Sequence, residues 1–172
     1  MNPRLPGVRT LTIKKEEVLY DIANLAFVIA DIHGSADAHA VHQTFDIIEG
    51  QNRDRIERVL SMSVAIVREV LSRGSAEGKF NRLPSSSLLP SDIIFKIRAS
   101  CHFNGDLKSV MVILREIIHE YLVCRVLADW LSVTLPSLAG VWREKAALQL
   151  ERLERLAVSL AQRSWRRLRL FP

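Results

Sequence analysis

Apolar residues recur along this chain with two different periods, and each period predicts a different kind of element. Val18, Ile22, Leu25 and Ile29 repeat at helical spacing, with Leu19 and Ala26 widening the stripe. They predict a helix that starts just after Thr12 and stops near Asp31 and Ile32. Thr12 would cap free backbone N–H groups, and Glu16 and Glu17 would stand in the first turn, where the helix dipole favours acids. Tyr20, Phe27 and Val28 fall off the stripe, which implies cover on more than one side. The polar stretch 34–37 leads into a candidate short helix over 38–48, closed by Gly50. A clearer helix follows over 53–71, with Asn52 as its cap and Ile56, Val59, Leu60, Val67, Val70 and Leu71 on its apolar face. Arg53, Arg55, Glu57, Arg58, Arg68 and Glu69 take much of the other side, and Gly74 sits where a helix C-terminal glycine is expected.

Between 74 and 91 the composition turns to Gly, Ser and Pro, with Pro84, Ser85, Ser86, Ser87 and Pro90 marking a loop long enough to serve as a docking segment. The period then switches to two. Phe95, Ile97, Ala99, Cys101 and Phe103 alternate with Lys96, Arg98, Ser100 and His102, the pattern of a half-buried strand over 95–103. A lone strand leaves its backbone groups unsatisfied. The other extended candidate is 8–13. If the two do not pair, the strand edge is open to another subunit, which makes Phe95 and Ile97 contact candidates.

Asn104 and Gly105 form a turn, and Asp106 starts a long helix that is apolar nearly all round, from Val110 and Met111 to Val126, Leu127 and Leu131. Such a helix is surrounded by others. Pro136 ends it and suits the first turn of the next, with Thr134 as a cap. That last helix runs from about Ser137 toward Leu168, with Trp142, Ala146, Gln149 or Leu150, Leu153, Leu156 and Leu160 as its stripe and Glu151 and Arg155 as an i,i+4 pair. The expected fold is mainly α: four to five helices bundled around a central buried helix, with a short β element near 95–103 that can pair with 8–13.

A length of 172 residues fits one domain, 1–172, which buries roughly 70% of its unfolded surface on folding. Apolar residues at 48% and charged residues at 25% place it in the globular range. Cys101 and Cys124 each sit in an apolar pattern without CxxC spacing, so both read as reduced core residues of a cytoplasmic protein. No secretory leader is visible before Gly7. The apolar run 110–135 carries Arg115, Glu116, His119, Glu120, Arg125 and Asp129, which argues against a membrane span. The net charge of +5 is concentrated in 163–172, where Arg163, Arg166, Arg167 and Arg169 have no acid among them.

Candidate chemistry is sparse. Asp31, His33, Asp37, His39 and His42 are metal-type side chains, but their spacing is not HExxH and no second cluster completes a site. Glu116 and His119 make one ExxH pair; a di-iron bundle site needs two, with further glutamates. The plainer readings are a polar surface turn and a polar stripe where the long helix reaches solvent. GxSxG, GxxxxGK[ST] and GxGxxG are absent. No catalytic, cofactor-binding or metal-ligating residue is therefore expected, and no cofactor. The segment 163–172 is the most distinctive feature. Arg163, Trp165, Arg166, Arg167, Arg169 and Phe171 combine arginine with aromatic rings, as interface hot spots do. The same arginines would suit phosphate, and at a helix end they would simply offset its dipole.

The capped helix 12–31, the amphipathic helix 53–71 and the helix 106–135 ending in ADWLSVTLP, together with the Ser/Pro loop and basic terminal segment, resemble small helical head–tail connector (neck) proteins of tailed bacteriophages. The resemblance implies a structural adaptor that forms rings with other copies of itself and meets neighbouring structural proteins, located in the virion after assembly. The alternative is a helical module that binds nucleic acid through its arginines. Protein purified without chelator is expected to contain no stoichiometric zinc, iron or manganese by elemental analysis; a whole-number metal content would restore the histidine cluster as a site.

Overall fold

Residues 7–33, 47, 50–73, 89–99 and 107–162 are described by the computed structural model. The first of them are extended. In β1 (Gly7–Lys14) Leu11 and Ile13 point inward and are buried, while Thr10, Thr12 and Lys14 face out. β1 pairs antiparallel with β2 (Asp92–Ala99), in a register running from Gly7↔Ala99 to Lys14↔Asp92. The pairing that the sequence left open between the two extended segments is therefore present. Its bounds differ from the expectation in two ways. Thr12 lies in the strand opposite Ile94 and caps no helix, because β-branched residues in strict alternation carry β1 on to Lys14. β2 also begins three residues before Phe95, with Ile93 buried and Ile94 45% exposed. Two adjacent isoleucines hid that start from a search for alternation. Of the expected strand end, 100–103 lies outside the described residues.

The strand-to-helix junction is held by the Lys15 N–H, which donates to the Ser91 carbonyl at 2.9 Å. Bonded and non-bonded pairs alternate along an antiparallel ladder. With Lys15 bonded to Ser91, the Thr12–Ile94 pair is a non-bonded one, so the Ile94 carbonyl faces away from β1.

Four helices follow among the described residues: α1 (Lys15–His33), α2 (Gly50–Arg73), α3 (Leu107–Thr134) and α4 (Pro136–Gln162). The chain is mainly helical, with one two-stranded sheet among the described residues. α1 buries Val18, Leu19, Ile22, Ala26, Ile29 and Ala30, but Tyr20, Phe27 and Val28 are exposed, so it is covered on one side only. Of the candidate helix 38–48, Ile47 alone is described, and it is fully buried. Gly50 opens α2 at φ +50°, a left-handed conformation that glycine adopts without a Cβ penalty. α2 places Ile56, Leu60, Val64, Val67 and Val70 inward.

Arg68 departs from the polar face assigned to it. It is 7% exposed, its Nη2 donates to the outward Ile94 carbonyl at 3.5 Å, and its guanidinium lies 5.9 Å from the Phe95 ring centroid. Burial lowers its pKa. Arg55, read as a surface residue, binds Asp129 of α3 through Nε at 3.1 Å and Nη2 at 2.8 Å.

α3 and α4 are joined by Leu135 alone. The residue before a proline is pushed out of the helical region, which breaks the run there. The Thr134 hydroxyl bonds back to the Trp130 carbonyl at 3.2 Å, so it serves the end of α3 and does not cap α4. Leu131 and Ala139 meet beside this turn, together with Ile29 of α1. Farther along, Ile117 of α3 and Arg152 of α4 line a shared groove. The two helices therefore run antiparallel, and Gln162 lies level with the start of α3. The main core joins Leu11, Ile13, Phe95 and Ile97 of the sheet to Ile22, Leu60, Leu114, Ile118, Leu122, Leu127 and Leu153 of the helices.

Phe95→Ala is expected to lower the unfolding free energy by about 3–5 kcal/mol. Its outward neighbour tests the alternation: Ile94→Ala should change it by about 0.5 kcal/mol or less. Equal losses in urea titrations would contradict the register.

Candidate functional site

Chemistry-bearing side chains gather where α1 lies beside the first half of α3. Arg115 Nη2 binds Glu17 Oε2 at 2.8 Å, and His119 Nε2 lies 2.7 Å from Asp21 Oδ2. Both pairs span 98 residues of sequence, so the two helices run parallel here. Each helix repeats its pairing side chain at i,i+4, which puts successive partners on one face. Between the helices is an open groove of about 630 Å³. Glu16, Glu17, Tyr20 and Asp21 line one wall, and Arg115, Glu116, His119 and Glu120 the other. Tyr20 is 71% exposed. Five carboxylates thus face one guanidinium and one imidazole, and both of those already have an acidic partner. The groove carries an excess of negative charge.

Glu116 and Glu120 stand on a ridge. On their other side a second groove, about 450 Å³, separates α3 from α4 and is lined by Ile113, Glu116, Ile117, Glu120, Gln149 and Arg152. One turn before the ridge, Val112 is 56% exposed and Ile113 47%. The helix expected to be enclosed on all sides is enclosed only in its later part. From Leu114 onward Ile118, Leu122, Val126, Leu127 and Leu131 are buried; before it Val110 and Met111 are half-buried against the core, and Val112 and Ile113 are exposed.

Cys124 lies one turn beyond Glu120, fully buried, with its Sγ–H directed to Glu120 Oε1 at 3.7 Å. Burial, reinforced by the negative charge and hydrogen bond of Glu120, pushes its thiol up to about 12. At neutral pH it is a neutral thiol and a poor nucleophile. Burial raises Tyr121 in the same direction, against a smaller opposing effect of Arg125.

The residues singled out from sequence are scattered. Phe95 and Ile97, expected as contacts, are 0% and 4% exposed and committed to the chain's own core, because the β1 pairing turns their face inward. Arg163, Trp165, Arg166, Arg167, Arg169 and Phe171 lie outside the described residues, as do Cys101, Asp37, His39 and His42. Asp31 is exposed near the end of α1. Of the loop 74–91, 74–88 lies outside the described residues, while Leu89 is buried in the core and its carbonyl accepts from Lys15 Nζ at 3.4 Å. Glu116 and His119 do project toward solvent at the α1–α3 groove, and His119 is occupied by Asp21. No group of three or more His, Cys, Asp or Glu side chains is arranged to hold a metal ion among the described residues. None of the described helices is long and apolar enough to cross a membrane.

Sequence reading missed the groove itself. Glu16 and Glu17 looked like ordinary first-turn acids, and nothing local pointed to partners nearly a hundred residues away. The one available signal was the matching i,i+4 ladders, Glu17 with Asp21 and Arg115 with His119. Comparisons with protein families, characterised proteins and solved structures find no match to this chain.

The buried thiol has a measurable consequence. Folded Cys124 keeps its proton to about 12, against an ordinary value of 9.0, so its contribution to stability is complete below pH 9 and declines as pH rises from about 9 to about 12. Tyr121 adds to the decline at the upper end, above its ordinary 10.0. Melting temperatures should fall across that window, and Cys124→Ala should remove part of the fall. Iodoacetamide at about pH 8 should leave Cys124 unmodified in the native protein and label it after denaturation, as read by peptide mapping.

Proposed function

We propose that this chain is a non-enzymatic assembly protein, an adaptor whose copies join one another. The observation that carries this reading is the exposed apolar start of α3. Val112 and Ile113 stand in solvent on the helix whose continuation forms the middle of the core. Adjacent exposed large aliphatic side chains on a rigid helix, rimmed by charged residues, are the composition of a protein contact. The neutral, buried Cys124 and the absence of nucleophile and phosphate-binding motifs in the sequence are compatible with a role that involves no chemistry. The finer reading is a head–tail connector subunit of a tailed bacteriophage, supported by the resemblance in helix pattern, Ser/Pro loop and basic terminal segment; its location would then be the virion. A second reading, nucleic-acid binding through 163–172, is favoured by the four arginines without an acid among them.

Light scattering coupled to size exclusion tests the first reading. The wild-type chain is expected to gain mass with concentration, and Val112→Asp combined with Ile113→Asp to stay at 19.5 kDa with an unchanged circular dichroism spectrum. A wild-type protein that remains monomeric at every concentration, alone and with candidate partners, would defeat it. For the second reading, affinity for a DNA duplex should fall linearly with salt on logarithmic axes, with a slope of about −0.9 per phosphate neutralised, so up to roughly −4 for four arginines.

A further inference from the structure

The α1–α3 groove and the segment 163–172 are opposites in charge and alike in aromatic content. The groove presents Glu16, Glu116 and Glu120 with no cation bound to them in the described structure, beside Glu17 and Asp21, and exposes the Tyr20 ring on its rim. The segment carries four arginines, no acid, and the rings of Trp165 and Phe171. Guanidinium groups meet carboxylates as two parallel hydrogen bonds, and they stack on aromatic faces. A tyrosine beside several carboxylates is therefore a receptor suited to arginine with interleaved aromatics.

Geometry adds a direction. α4 is antiparallel to α3, and Gln162 is level with the start of α3, before the groove rather than over it. The axis of α4 at Gln162 points away from Glu116 and Glu120, so at Gln162 the chain is heading away from both.

We infer that residues 163–172 of one copy dock in the α1–α3 groove of a second copy, with arginines on Glu116 and Glu120 and an aromatic ring on Tyr20. This docking presupposes the assembly role proposed above and names its contact. Contacts of this kind are head-to-tail, so they build rings or chains and not closed two-fold dimers.

Charge exchange between two full-length variants is the test. The first variant carries Glu116→Lys and Glu120→Lys; the second carries Arg166→Glu and Arg167→Glu. In each alone, positions 116 and 120 share a sign with positions 166 and 167, and self-association should weaken by about tenfold or more, the equivalent of losing roughly 1.4 kcal/mol. Mixed in equal amounts, each supplies the segment that the other's groove prefers, so assembly should return toward the wild-type mass. Thermal melts of both variants should match the wild type, since Glu116 and Glu120 are exposed. Rescue on mixing is the decisive result, because docking within one copy cannot be restored by a second. If the wild type assembles and either variant assembles equally well, or if the mixture stays dispersed, the docking is wrong while the assembly role stands. A wild type that never assembles overturns both. DNA binding lost in the second variant, without any change in mass, would transfer the arginines to nucleic acid.

Discussion

Between Leu114 and Leu131, α3 carries apolar side chains on nearly every side, and water must be excluded from all of them together. No single neighbour can do this, since a packed helix covers only about a third of another's circumference. α1, α2, α4 and the two-stranded sheet therefore all converge on α3. The one-residue connection at Leu135 returns α4 along its length, and the sheet closes one end with Leu11, Ile13, Phe95 and Ile97. Removing this helix would expose apolar residues on each of the others.

Polar contacts set orientation within that arrangement. Arg55 with Asp129 ties α2 to the later part of α3, and Lys15 with Glu57 at 3.3 Å ties the start of α1 to α2. Partly exposed ion pairs contribute little to stability, of order 1 kcal/mol or less each. Their effect is to select one rotation of each helix about its axis. Arg68 is a different case. Its guanidinium is buried with Nη1 unpaired and, among the described residues, meets the Ile94 carbonyl and the Phe95 ring. A buried cation with so few partners is destabilising in itself, but it occupies the outer edge of β2 at Ile94, where an added strand would otherwise bond. β2 is thereby blunted as an aggregation edge.

The same concentration of cover on the later part of α3 leaves Val112 and Ile113 near its start exposed. Val112 and Ile113, the ridge of Glu116 and Glu120, and the two flanking grooves form one continuous surface of mixed apolar and acidic character. The basic segment supplies the complementary charge on the same molecule. The proposed docking would join these two places head-to-tail.

Local pattern was enough for the elements themselves. Helical stripes in α1, α2 and α4, the period-two run through Phe95 and Ile97, the proline that ends α3, and the pairing of the two extended segments follow from spacing and backbone chemistry. These depend on residues within a few positions of each other. Even there, boundaries slipped where patterns overlap: Thr12 belongs to a strand because the β2 partner it needs is eighty residues away, and Ile93 beside Ile94 masked the start of β2. Which polar residues are buried, and which apolar ones are bare, was decided by the tertiary structure. Arg68 and Val112 lie on helices whose periodicity assigns each the opposite environment. Exposure depends on what the rest of the chain brings alongside, and a helix repeats its pattern without regard to where its cover ends. The α1–α3 groove is the same case, since its two walls share a face only after the core has set α1 and α3 parallel.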